Sequence, residues 1–381
     1  MPTRPLWVLP LAAVLALPAP AWAIGSPAIP AQPAEQPTTA APSVETPSEV
    51  MALPPELRAR LHEEVLADDP PRMIRFERLV DFMIGPRGLG MTYRENDTHS
   101  VAQSYATRTA NCVGFTLLFL ALAREAGLDA SAQNIRQTLS WRVDQSTLYV
   151  SSHVNALVRV GTRRYVVDFA VEPVIARHRP EPISDQRLLA HYYNNLAVQH
   201  LDRQWMDSAK RLIETALSLD PTAPAYWSNL GVIHLRDADP VAAEGAYARA
   251  LSLDPRDSGA LFNMVSLAHR TGDAAREADF QRRLARVQQQ DPFHHFMQAM
   301  GFERSGDHAK AIDHYRRAIR LHGTEPRFHA ALARVHALIM AEADSLPTAA
   351  GVLRKVNEHV TRLEKSTQFV TALYGILDCA S

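Results

Sequence analysis

The sequence predicts an α+β N-terminal domain, a helix packed on an antiparallel sheet, followed by an all-α superhelix. Three observations carry the prediction. A long apolar helical stretch beginning at Cys112 gives way to segments with a hydrophobic period of two, and helix first with antiparallel strands after it is an α+β order. From about Ser184 onward the periodicity is helical. In that region "LSLDP" ending at Pro221, "LSLDP" ending at Pro255 and "QQQDP" ending at Pro292 recur after 34 and then 37 residues, the spacing of a stacked helical array. With 381 residues, 46% of them hydrophobic, the chain has material for two or three domains with ordinary cores.

Residues 1–23 read as a secretory signal: Arg4 is the charged start, Leu6–Leu17 the apolar run, and "AWA" at Ala21–Ala23 the cleavage site. The protein is therefore expected to be exported, periplasmic or extracellular. No other stretch approaches about 20 uninterrupted apolar residues, so no membrane span is expected. Residues 24–50 hold six prolines and no aromatic, a composition that cannot bury enough surface to order itself and reads as a disordered linker. The net charge of −1, with acidic and basic residues interspersed, lacks the basic stripe of a nucleic-acid binder.

The N-terminal domain is assigned to residues 51–186. "PPELRARLHEEVLA" opens with prolines suited to a first helical turn and places Leu57, Leu61 and Val65 at helical spacing. "RMIRFERLVDFMI" (Arg72–Ile84) is a second helix, "GPRGLG" a loop, and "THSVAQSYATRT" a short helix running into a turn. The helix that starts at Cys112 carries Phe115, Phe119, Leu122 and Ala126 on the same stripe and stops at Gly127. "TLYVSSHVNALVRVG" and "TRRYVVDFAV" are strands, joined by a tight turn at Gly161–Thr162.

Chemistry concentrates on three residues of this domain. His153 and Asp168 lie 15 residues apart across the hairpin, and if they share a face the strands set them side by side. Cys112 opens a helix, where partial positive charge and free N–H groups gather. A thiolate is the nucleophile in cysteine chemistry; an imidazole beside it takes the proton, and a carboxylate fixes the imidazole's tautomer. The Cys112 N–H could also donate to a developing oxyanion. Asn155, two residues after His153, projects to the same face and could support it, and Trp141 and Tyr149 could line a substrate cleft. Export leaves a second account of the thiol, a disulfide between Cys112 and Cys379. His191, His200, His294 and His295 lack paired metal-ligand spacing, so neither a metal nor a cofactor is called for.

The order of a helix-start Cys, a His on one strand and an Asp on the next resembles the transglutaminase-like fold, a rearranged relative of papain-type proteases. "RTANCVGFTLLFLALAREAGLDA" is similar to that family's Cys helix, and the resemblance covers about Met51 to Ile183. It implies that Cys112 is the nucleophile, His153 the general base and Asp168 the orienting acid. Ala110 and Val113 stand where the family often has Gly and an aromatic, and Phe169–Ala170 where it often has Pro-Thr. The chain also resembles exported bacterial proteins that join such a domain to tetratricopeptide repeats.

Residues 187–326 carry about four units with the tetratricopeptide signature. The second fits best, with Trp227, Leu230, Gly231, Ala243, Tyr247, Ala250 and Pro255; the first has Tyr193, Leu196, Ala197, Ala209, Ala216 and Pro221. The third, from about Ser258, is degenerate, with Glu277 in a small-residue position, and the fourth shows Ala299, Gly306, Ala311, Tyr315 and Ala318. Residues 327–381 are expected to be capping helices. Two functions follow. In the first, an exported enzyme forms a thioester on Cys112 from an amide or peptide bond, and water or an amine resolves it; the residues leave hydrolysis and transamidation equally open. The repeats then recruit a protein or peptide in their groove. In the alternative, the chain is a non-catalytic adaptor or assembly factor of the cell envelope. The sequence does not fix the oligomeric state.

Overall fold

The computed structural model describes residues 43–135, 141–144, 147–150, 153–169, 180–343 and 376–378. The leader, most of the linker and Cys379 lie outside the described residues. The fold begins earlier than composition indicates. Residues 43–50, grouped above with the linker, contain helix α1 (Pro47–Val50), closed by a capping box in which Thr46 and Glu49 satisfy each other's backbone N–H. Val50 is fully buried, Glu45 accepts the Tyr192 hydroxyl on its carboxylate at 3.0 Å, and its carbonyl accepts the Tyr193 hydroxyl at 2.7 Å. The reciprocal bonds of two residues, Thr46 and Glu49, across a proline first turn override a proline-rich average.

Helices α2 (Pro55–Glu64) and α3 (Arg72–Ile84) bury Leu57, Leu61, Phe76 and Leu79. A two-residue strand, β1 (Thr92–Tyr93), runs parallel to β2 (Thr109–Ala110), with α4 (Val101–Thr107) between them. Helix α5 (Cys112–Glu125) follows at once and is buried on every side from Cys112 to Ala123. The single stripe read from the sequence is therefore one face of an interior helix, which has no solvated side to spend polar residues on. It packs on β3 (Asp129–Ile135) and on the later strand β6.

The period-two region is cut more finely than the sequence suggests. A separate ladder pairs β4 (Trp141–Asp144) with β5 (Thr147–Val150), and β5 lies against helices of the repeat array. β6 (His153–Val160) and β7 (Arg163–Val167) form the hairpin over Gly161, whose φ of 62° suits the turn. With β8 (Glu181–Ile183) and the distant β9 (Ile376–Asp378), the main sheet has the order β8-β3-β6-β7-β9, antiparallel throughout. The C-terminal residues 376–378 thus return to the first domain, where a helical cap was expected. They run from Val167 toward Tyr165, away from the Asp168 end of β7.

The helical half consists of four antiparallel pairs: α6 (Asp185–Asp202) with α7 (Met206–Leu219), α8 (Pro224–Arg236) with α9 (Pro240–Leu253), α10 (Ser258–Arg270) with α11 (Ala274–Gln289), and α12 (Pro292–Arg304) with α13 (His308–Leu321), followed by α14 (Pro326–Ala343). The first helices α6, α8 and α10 stack on one another to form one layer, and β5 lies against α8 and α10 of that layer. The turns inside the pairs place Gln204, Ala238, Gly272 and Gly306 in the left-handed region. These positions are 34 residues apart in every interval, so the turn keeps the period even where the Pro landmarks drift. In the second pair a Cβ on Gly231 would come within 2.4 Å of the Tyr247 ring, which is why the signature needs Gly there. Buried residues of the first domain and the first three pairs form one continuous cluster; those of the fourth pair and α14 form another.

Candidate functional site

Cys112 is placed by the segment before it. Helix α4 ends on Arg108 with φ 59°, β2 lines up with β1, and Asn111 then caps α5 by accepting the Gly114 N–H at 3.0 Å. The other end of the Asn111 amide donates to Thr98 Oγ1 at 2.7 Å, and both residues are buried. Gly114 allows the loop before α4 to lie close, since a Cβ would stand 3.0 Å from the His99 carbonyl. Cys112 is thereby the first residue of α5, a free and buried thiol. Thr116 Oγ1 donates to its carbonyl at 2.7 Å. Cys379, the proposed disulfide partner, lies outside the described residues.

His153 opens β6, and Asp168 follows the last residue of β7. The register pairs Ala156 with Val167, so one step further sets Asp168 opposite Asn155, on the face that Asn155 shares with His153. His153 Nε2 donates to Asp168, 2.8 and 2.9 Å from its two oxygens. Asn155 Nδ2 donates to the Asp168 Oδ2 at 3.0 Å, and Gln133 on β3 approaches Asn155 Oδ1 at 3.5 Å. With Nε2 committed to the carboxylate, Nδ1 is the nitrogen left for Cys112, which lies within hydrogen-bonding reach of the ring. The sequence-stated trio is thus brought together in the order thiol, imidazole, carboxylate, with Asn155 behind the carboxylate.

Burial works against a charged His153 ring, but the Asp168 hydrogen bond, the Cys112 hydrogen bond and the Coulomb attraction of both outweigh it and raise the ring to about 10. These partners favour the charged form of the ring. Tyr93, on β1, has its phenol pushed well above its ordinary range, first by burial and then by the nearby charges of Cys112, Glu95 and Asp168. It stays a hydrogen-bond donor at any physiological pH. Phe169 stacks on Phe115 of α5 with ring centroids 4.0 Å apart and planes 8° apart, and meets Tyr93 edge-on at 6.0 Å. That stack fastens the Asp168 loop to the Cys helix.

Tyr93, Thr98, Asn111 and Phe169 escaped sequence reasoning as site residues. Asn111 had a readable signal, an Asn directly before a helical run; Tyr93 and Thr98 are joined to the site only by tertiary contact, and Phe169, next to Asp168 in sequence, shows its role only in its stack on Phe115. Trp141 lies on β4 opposite Val150, and Tyr149 lies on β5 opposite Arg142; their side chains lie outside the description. The other histidines singled out from the sequence, His191, His200, His294 and His295, lie in the repeats. His191 Nδ1 accepts the Tyr226 hydroxyl at 2.9 Å, His200 Nδ1 is 2.9 Å from Ser208 Oγ, and His295 Nδ1 is 3.3 Å from His314 Nδ1. Among the described residues no three His, Cys, Asp or Glu side chains converge as metal ligands, and no helix is long and apolar enough to cross a membrane.

The sequence matches the tetratricopeptide repeat family over residues 196–258 and 296–356. No curated protein matches the chain. Among solved structures, MamA (41-end) from Desulfovibrio magneticus RS-1 is 18% identical and covers 48% of this chain and 97% of its own, with a TM-score of 0.26. PilF of Pseudomonas aeruginosa is 16% identical, covering 48% and 86%, with a TM-score of 0.27. The family match identifies tetratricopeptide repeats within the helical half, at residues 196–258 and 296–356.

Proposed function

We propose that the chain is an exported protein-interaction protein whose repeats recruit a protein or peptide and whose N-terminal domain, transglutaminase-like in kind, performs thiol acyl transfer on it. The family match over the repeats supports partner binding, the coarser part of this reading. The observation that carries the chemical part is the pairing of His153 Nε2 with both oxygens of Asp168 at 2.8 and 2.9 Å, beside a free thiol at a helix start. Cys112 attacks an amide carbonyl; His153, once it holds the thiol proton, passes it to the leaving amine. The oxyanion meets the N–H groups at the start of α5, with the Tyr93 phenol as a further donor. Water, activated by His153 as it regains neutrality, or a second amine then resolves the thioester. Asp168 holds the imidazole in one tautomer throughout and Asn155 holds Asp168. The leader-like residues 1–23 support a periplasmic or extracellular location.

The alternative reading, a non-catalytic adaptor of the cell envelope, is favoured by the fact that the family match falls on the repeats. One experiment separates the two. A peptide-amide probe with a thiol-reactive group is offered to the full chain and adducts are read by mass spectrometry. An adduct on Cys112 that disappears in His153→Ala supports acyl transfer. A Cys112→Ala chain that retains full biological activity, with the wild type unlabelled at Cys112, assigns the protein to the adaptor class.

A further inference from the structure

The cap that fixes Cys112 is tied to the repeat array. Thr98 Oγ1, 1% exposed, receives two donors: Asn111 Nδ2 at 2.7 Å and Gln199 Nε2 at 2.8 Å. Gln199 lies on α6, the first helix of the first repeat, 101 residues further along the chain. A threonine hydroxyl has two lone pairs and one proton, so these two donors saturate its acceptor capacity and fix its rotamer. The fixed hydroxyl in turn fixes the Asn111 amide, whose oxygen must face the Gly114 N–H for α5 to be capped. Nδ2 also reaches the Glu95 carbonyl, at 3.4 Å, so the shorter Thr98 bond is the main hold on the amide; loosening it lets the amide swing toward Glu95, and the N–H groups beside Cys112 lose their alignment.

We propose that Gln199 is a positioning residue for Cys112, acting through Thr98 and Asn111, so that the first repeat sets the reactivity of the thiol. The inference rests on the reading of Cys112 as the reacting thiol. Its logic is geometric: Gln199 is only half-buried and belongs to the array, yet its amide ends in the buried polar chain that caps the Cys helix. Any shift of α6 relative to the first domain moves the donor, and the cap responds.

The test uses the full chain and iodoacetamide, with the Cys112-bearing peptide quantified by mass spectrometry so that Cys379 does not interfere. The readout is the ratio of the alkylation rate at pH 7 to that at pH 10, which cancels changes in access to the sulfur. Gln199→Leu and Thr98→Val are expected to lower this ratio about two- to fivefold, the range expected when charge stabilisation at a helix start is lost. Thr98→Ser, which keeps the hydroxyl, is expected to behave as the wild type. Hydrogen exchange at the Gly114 amide should quicken in Gln199→Leu while the melting temperature stays within a few degrees. A wild-type ratio in Gln199→Leu overturns the proposal. So does a ratio that changes only with loss of the α6 fold, since Gln199 is then merely structural. Should Thr98→Val fail to fold, Gln199→Leu decides alone. If Cys112 catalyses nothing, the Cys112→Ala chain stays active while the ratio still falls, so the two failures are told apart.

Discussion

Asp168 does two jobs at the residue scale, orienting a ring and holding its charge. Because His153 is raised from its ordinary 6.5 to about 10, its pairing contributes stability that is fully present below about pH 6.5 and is lost as pH rises through about 10. Asp168→Asn removes the partner charge, so the stability gap between wild type and variant is expected to be wide at pH 6.5 and to narrow by pH 10, as read by urea denaturation. A gap that widens with pH would show that the ring is not protonated in the fold. For turnover, once a substrate is in hand, His153→Ala is expected to lower the rate by about two to four orders of magnitude, the share of a positioned acid–base group. Phe169→Ala should lower turnover with little change in His153 titration, because its ring locks the loop and touches no proton.

Elements respond to substitutions at their ends and turns. Ala238 holds a left-handed φ of 62° at the position where the third and fourth repeats use glycine. Ala238→Gly is expected to stabilise the second repeat by about 0.5–1 kcal/mol, since it relieves the Cβ strain that glycine lacks. Differential scanning calorimetry checks it, and a lower melting temperature contradicts it. Gly231→Ala should act in the opposite direction by about 1–3 kcal/mol, because the new methyl overlaps the Tyr247 ring. The capping of α5 by Asn111 is worth about 1 kcal/mol on the same grounds as any N-cap.

Acid should destabilise the molecule as a whole. His191, His200 and His294 are each lowered to about 4, with burial as the largest cause. A base whose folded pKa is depressed contributes stability that is present above its ordinary 6.5 and is lost as pH falls toward 4. All three sit in the repeats, so the array is expected to lose stability between pH 6.5 and 4, measured by chemical denaturation at pH 7.5 and 5. His295 and His314 reinforce the trend: burial lowers both, their Nδ1 atoms are 3.3 Å apart, and two charged rings cannot share that contact. The division into two buried clusters adds a spatial expectation. Amides of α12–α14 should exchange before those of α6–α10, because opening the smaller cluster leaves the larger core intact.

Periodicity and residue type determined the helical half, and they singled out Cys112, His153 and Asp168 as candidates. Helical stripes, the 34-residue recurrence and the small residues Ala243, Gly231 and Ala311 are local signals, and each is buried where its repeat position demands. Cys112 before an apolar run, and His153 and Asp168 at matched ends of a hairpin, were likewise legible, because strand register is a short-range property. What only the tertiary structure decided are the contacts that span the chain. Residues 43–50 join the core through tyrosines about 147 residues away, and Gln199 reaches Thr98 across 101. Residues 376–378 add a strand to the first sheet. Composition and period average over neighbours in sequence, whereas a hydrogen bond between distant residues leaves no local pattern and exists only once the chain has closed on itself.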